Sequence, residues 1–361
     1  MSLKTKIACV IMAVTMIFAA TGCSSSAVDT KTIGTYKNEE IPVGIYLYGM
    51  TTAIENASMS VENKDADILD SVIEDDVKGR EWISNQSQNF IYNFIAVEDM
   101  YNELGYTLPT IAKEHVADTL EQQKSYYAEI FENMKKNGIS EKSYQLILEN
   151  SQKLDDMFIK YYSEGGVAPI SEDEFKAQYA VNYRRAVLLP ISFKDRGGKP
   201  LEGEDKENVS KLADEYFERL KNGESFDMIA SEYMAFVNEK ELTDEDREEI
   251  KNSENKVKSS LVDVRNRNLP TDFKEAIDGV NEGEFFMVQD ENNIIIAKKA
   301  NLFENEEDFN NMKTTLIAEL KTDEFNKILD KKTDEVKDSF TFNDASLKRY
   351  NVDDFYKRVK K

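Results

Sequence analysis

One histidine and two cysteines are the whole supply of imidazole and thiol in this 361-residue chain. His115 sits in Glu114-His115-Val116 with no second ligand at helical spacing, the pattern of a surface helix residue. A Ser-His-Asp triad and a zinc site are therefore excluded as readings. Gly197-Gly198 has neither the lysine nor the spacing of a phosphate-binding loop. The acidic run Glu304-Asn305-Glu306-Glu307-Asp308 lacks the glycine and ligand spacing of an EF-hand and reads as solvated charge. The sequence thus calls for no metal and no cofactor. The side chain best placed for chemistry is the Cys23 thiol, preceded by the small residues Ala20-Thr21-Gly22 and followed by Ser24-Ser25-Ser26.

The segment before Cys23 explains why a thiol stands there. Lys4 and Lys6 form a positive start, and residues 7–20 form an apolar run. A charged start, a short apolar stretch and small residues before a cleavage point make a secretory signal; the run is short for a bilayer span. The Ala-Thr-Gly-Cys ending resembles the lipobox of bacterial lipoproteins. That resemblance implies removal of residues 1–22, lipid attachment at Cys23, and an extracytoplasmic location on the bacterial cell membrane. Cys9 leaves with the signal, so the remaining chain has no thiol for a disulfide.

Loss of Lys4 and Lys6 takes the formal net charge from −23 to −25. Such a surface repels nucleic acid and anionic headgroups; it reads first as solvated helix faces, and otherwise suits cationic partners or divalent cations. No basic patch interleaved with aromatics is present, which excludes a nucleic-acid role.

Periodicity predicts the scaffold. Residues 41–47 alternate weakly, as a strand would, and residues 55–78 read as an acidic, exposed loop. From Arg80, Ile83, Phe90, Phe94, Val97, Tyr101 and Leu104 draw an apolar stripe down one helix, with Gly105 and Pro109 beyond its end. A second helix is predicted over 110–137 and a third from Ser140 to Tyr161. Ser171-Glu172-Asp173-Glu174 is a capping box opening a helix over 172–182. A strand at 186–193, helices from Val209 and Phe226, a charged helical stretch at 243–264 and a helical turn at 273–277 follow. Strands at 285–288 and 293–297 flank the turn Asp290-Glu291-Asn292, and a long C-terminal helix runs on from Phe309. Helices first and a compact mixed unit second argue α+β. Aromatics and methionines, including Tyr126, Tyr127, Phe131 and Met134, exceed one stripe per helix. Most read as core; the surplus suits an adaptable apolar surface.

Several stretches are similar to exported foldases of the PrsA and SurA type. They are Leu104-Gly105-Tyr106-Thr107, Gly138-Ile139-Ser140-Glu141-Lys142-Ser143-Tyr144, the box from Ile170, and Leu220-Lys221-Asn222-Gly223-Glu224-Ser225-Phe226 running on to Ile229-Ala230-Ser231-Glu232-Tyr233. Leu269-Pro270, Phe273-Lys274-Glu275-Ala276 and Asn281-Glu282-Gly283-Glu284 continue the order. The resemblance implies a signal at 1–22, a tether at 23–40, a helical domain at 41–182, a parvulin-like prolyl isomerase domain at 183–303, and a C-terminal helix at 304–361 packing on the helical domain. It places the family's two strand histidines at Val187 and Asn293, side by side on adjacent central strands, and its polar residue after the Glu-Tyr pair at Ala235. Leu269, Phe273 and Met287 would line a peptide groove.

None of those polar positions carries an acid or base here. Twisting a prolyl amide needs no nucleophile, only a pocket that favours the twisted state over an ~18–20 kcal/mol barrier. The expected function is a membrane-anchored foldase or chaperone for unfolded exported polypeptides, with weak or no isomerase activity. An active parvulin isomerase and a non-catalytic envelope scaffold are the alternatives. A solute-binding lipoprotein is disfavoured because the first half offers little strand. The oligomeric state, a dimer among the options, stays open.

Overall fold

A computed structural model describes residues 32–61, 66–254 and 256–359. Cys23 and the signal segment lie outside the described residues. The chain divides into two compact units. One comprises the described residues up to Pro169 together with those from Glu319 onward; the other is Ile170–Ala318. No described helix is long and apolar enough to cross a membrane.

In chain order the first unit holds β1 (Thr32–Tyr36), β2 (Glu39–Pro42), α1 (Val43–Ser60), β3 (Val72–Glu74), β4 (Val77–Lys78), α2 (Gly79–Glu103), α3 (Thr110–Tyr126), α4 (Ala128–Lys136) and α5 (Glu141–Tyr162). The second holds α6 (Glu172–Asn182), β5 (Tyr183–Ser192), α7 (Gly203–Lys221), α8 (Phe226–Val237), α9 (Asp244–Asn252), β6 (Ser260–Asp263), α10 (Phe273–Asp278), β7 (Phe285–Gln289) and β8 (Asn293–Ala300). Helix α11 (Glu306–Ser339) starts in the second unit and ends in the first, where β9 (Thr341–Phe342), α12 (Asp344–Arg349) and α13 (Val352–Val359) follow. The class is α+β, as composition and patterning predict.

The start of the first unit departs from the sequence reading. Residues 32–40, read as tether, enter a hairpin whose turn places Lys37 and Asn38 at φ 47° and 67°, the left-handed pair that matches strand twist. The strand expected at 41–47 is mostly helix α1, which also takes up residues 55–60 of the expected acidic loop. Val43, Ile45, Leu47, Met50 and Ile54 are all buried in α1. A helix enclosed on most sides shows no single stripe, so its β-branched start imitates a strand. Gly49 lets Phe90 of α2 approach; a Cβ there would lie 2.7 Å from that side chain. Glu55 is half-buried on α1, and burial alone pushes its carboxyl up to about 7.

The C-terminal part of α11 belongs to this unit's core. Phe325 packs on Phe158 at 5.0 Å between ring centres. Lys332 meets Asp99 and Glu103 of α2, each at 2.7 Å. Lys37 also reaches Asp99, at 2.8 Å, and the Tyr36 hydroxyl donates to it at 2.8 Å. Burial works against the charged Asp99 carboxylate, but the donors Lys332, Lys37 and Tyr36 outweigh it and hold the carboxyl at about 2.

The second unit is built on one antiparallel sheet in the order β6-β5-β8-β7. The capping box forms as predicted, with the Ser171 hydroxyl accepting from the Glu174 amide. Strand β6 lies inside the stretch read as a charged helix, of which only α9 is helical. Four residues are too few to establish a period against that charge.

Candidate functional site

Strand parity decides what the second unit can assemble. Successive side chains on a strand point to opposite faces, and directly paired residues share a face. Leu189, Ile191 and Phe193 join Ile294 and Ile296 beneath α7 and α8, with Val209, Tyr216 and Ile229. Ala186, Phe286, Val288, Ile295 and Ala297 form the opposite face beneath Phe273 and Ile277 of α10.

Val187 pairs with Lys298, and Asn293 pairs with Ser192. The two expected histidine positions are thus on adjacent central strands but five residues apart along β5. They also fall on opposite faces: Val187 shares parity with Leu189 and Ile191, Asn293 with Ile295. They are not side by side, so the assignment of a degenerate parvulin centre to these two positions, which rested on that juxtaposition, fails. The partner of Asn293 is Ser192, exposed like Pro190 two residues before it on the same face.

Ala235 lies on α8, whose Ile229 and Tyr233 pack beneath the first face, so it does not join Asn293 either. The Tyr233 hydroxyl accepts from the Ser192 amide at 2.8 Å and ties the end of α8 to the end of β5. The Asn293 side chain is engaged in its own turn, donating to Asp290 at 2.9 Å. Val187, Ala235 and Asn293 therefore form no cluster.

The expected groove is corrected in part. Leu269 packs at the cluster that contains Phe273, which is 1% exposed and meets Phe286 edge-on at 5.4 Å. Met287 packs on the other face, beside Phe226, Phe285 and Leu212. Phe273 is a core ring rather than the wall of an open groove. The pairing that parity puts beside it is with Phe286 and Val288, one residue on either side of Met287.

Charged groups around the sheet serve the scaffold. Arg184 grips Asp278 of α10 through two bonds of 2.5 and 3.0 Å. The Arg184 guanidinium, with help from Lys274, holds the Asp278 carboxyl at about 2. Glu232 of α8 binds Arg219 of α7 at 2.7 Å and also Arg247 of α9. Among the described residues no group of histidines, cysteines and carboxylates is arranged to hold a metal ion, and His115 is exposed on α3.

Apolar surface is the other feature. Of the aromatics and methionines on the helices of the first unit, Tyr92, Phe94, Met157 and Tyr162 are buried. Phe131 packs edge-on against Tyr144 at 5.6 Å. Ile111 and Tyr126 of α3 remain 77% and 79% exposed, and Tyr127 sits exposed at the break between α3 and α4. The second unit exposes Met234 and Phe236 on α8. Tyr126 and Tyr127 stand out in the sequence as surplus aromatics, whereas Ile111, Met234 and Phe236 look like ordinary members of helical stripes.

The architecture is that of a helical unit completed by C-terminal elements, with a small β/α unit inserted between. Three solved foldase structures match the chain at low identity. The foldase protein PrsA of Streptococcus pneumoniae matches at 14% identity over 80% of this chain and 96% of that one, with a TM-score of 0.32. PrsA of Lactococcus lactis matches at 13% identity over 88% and 97%, with a TM-score of 0.36. PrsA of Bacillus subtilis matches at 12% identity over 86% and 93%, with a TM-score of 0.25. No family model matches the chain, and no curated protein matches it.

Proposed function

We propose that this protein is an extracytoplasmic foldase of the holding kind, tethered to the membrane through Cys23, that shields unfolded exported polypeptides and has weak or no prolyl isomerase activity. The observation that carries the reading is large apolar side chains left in water on both units of a strongly acidic chain: Ile111, Tyr126 and Tyr127 on one, Met234 and Phe236 on the other. Adaptable apolar surface binds exposed segments of unfolded chains and slows their aggregation by mass action. The order of foldase-like motifs and the lipobox-like ending at Cys23 support it independently. Val187, Ala235 and Asn293 form no cluster, so nothing at these positions supports catalysis at a parvulin-type centre.

Two assays test this together. Light scattering of a chemically unfolded client, diluted with and without the protein, should show suppressed aggregation at stoichiometric ratios. Tyr126→Ser combined with Ile111→Ser should weaken that suppression severalfold. Refolding of a client limited by prolyl isomerisation should proceed at its uncatalysed rate. Clear acceleration would instead support an active isomerase, and no suppression of any client would leave the scaffold reading. Replacement of Cys23 by serine should release the protein from the membrane fraction.

A further inference from the structure

Strand β7 ends the sheet, and no described strand pairs with its outer side. The Asp290 amide donates to the Asn293 carbonyl, and the Lys299 amide to the Glu284 carbonyl. Hydrogen-bonded and non-bonded pairs alternate in an antiparallel ladder. Between those two anchors the register is unbroken, with Phe286 on Ala297 and Val288 on Ile295 as the bonded pairs. The amides and carbonyls of Phe285, Met287 and Gln289 therefore point away from β8, along the open edge.

The side chains of the same three residues dress that edge. Phe285 and Met287 are half-buried, and Phe285 stacks on Phe226 at 6.4 Å with the rings nearly parallel. Gln289 is exposed. Glu282 and Glu284 stand before the strand, Asp290 and Glu291 after it. Turn hydrogen bonds from Asn281 to Glu284, and from Asn292 and Asn293 to Asp290, leave both carboxylates ionised. Of the cations nearby, Lys298 lies over the Phe285 ring, Lys299 donates to the Val280 carbonyl, and Lys194 faces Asp290, so the four carboxylates outnumber the three cations.

An edge with free amides, an apolar flank and negative charge at both ends is a template for strand addition. Resting on the holding function proposed above, we infer that β7 accepts an extended, β-branched segment of an unfolded client that carries lysine or arginine at its ends. The added strand would pair with Phe285, Met287 and Gln289, its side chains resting against Phe226 and Met287.

The probe is a nine-residue peptide of alternating valine and threonine with lysine at each end, added to the full chain. Amide hydrogen exchange followed by NMR reads the edge directly. The peptide should slow exchange at Phe285, Met287 and Gln289 at least tenfold and leave Phe286 and Val288 unchanged, because those amides already bond to β8. Gln289→Pro removes one edge donor without touching a bond to β8; it should weaken binding at least tenfold, while Gln289→Ala should not. A peptide with two adjacent central prolines, or one with glutamates at its ends, should bind at least fivefold more weakly. Unchanged exchange at the three edge amides overturns the assignment, as does equal binding of the glutamate-ended peptide. If the protein suppresses client aggregation while the edge amides stay unprotected, this inference fails and the holding function stands. If it suppresses no aggregation, the client assignment falls with that function.

Discussion

Asp99 is where the helical unit is most open to a quantitative test. Its carboxylate is 12% exposed and takes three donors from two separate parts of the chain: Lys332 of α11 and, from the N-terminal hairpin, Lys37 and Tyr36. The fold lowers its pKa from 3.8 to about 2. At ~1.36 kcal/mol per unit, that difference is worth about 2 kcal/mol once the group is ionised in both states. Because the folded value is depressed, the contribution is complete above pH 3.8 and fades as pH falls through about 2. Asp99→Asn should therefore lower stability by about 2 kcal/mol at pH 7, with the Lys332 ammonium left on Glu103 and Glu335, and the deficit should shrink between pH 4 and pH 2. Trp82 is the sole tryptophan and lies on α2, so its fluorescence during urea unfolding reports this unit. The difference between variant and wild type cancels the acid response of the other carboxylates. A deficit below about 0.5 kcal/mol at pH 7, or one that does not change down to pH 2, would refute the reasoning.

Glu55→Gln should act in the opposite direction. A folded pKa raised from 4.5 to about 7 means that stability is lost as pH rises between those values, so the variant should gain about 3 kcal/mol at pH 8 and nothing at pH 4, read by the same fluorescence. Arg184→Ala should return the Asp278 carboxyl from about 2 toward 3.8, followed by carbon-detected NMR titration. Phe273→Ala should destabilise the second unit by about 3–5 kcal/mol in calorimetry, since the ring is fully buried against Phe286. Gly34→Ala should cost at least about 1–3 kcal/mol, because its new Cβ would fall 2.4 Å from both the Phe340 ring and the Thr341 carbonyl. A thermal melt within a degree of wild type would contradict that packing.

Local signals were legible where local interactions decide the structure. The helix from Glu172 to Asn182 follows from its capping box, and α2 follows from the stripe of Ile83, Phe94, Val97 and Tyr101, all of them buried. Legibility failed where a neighbour decides. Helix α1 is buried all round at its start, so Val43 to Leu47 carry no helical period. Strand β6 exists because β5 offers it an edge. The site failed for a sharper reason: a shift of one residue in register exchanges the faces of a strand. A single sequence does not supply register, so Val187 was matched with Asn293 although β5 sets Ser192 opposite it, and Met287 was grouped with Phe273 although its neighbours Phe286 and Val288 hold that place.

The free edge of β7 also bears on how copies of this protein treat one another. A row of unpaired amides does not distinguish a foreign strand from its own duplicate, and head-to-head pairing of two such edges would extend the sheet across molecules. The acidic groups at both ends of the strand stand against that union, because two copies bring like charges together, and the net charge of −23 adds repulsion at longer range. That guard is made of screening-sensitive electrostatics, with a reach of about 8 Å at physiological ionic strength. Colloidal behaviour follows: dispersed molecules in dilute buffer, and growing self-association as salt rises, the reverse of the salting-in expected for a chain whose surface charges are balanced.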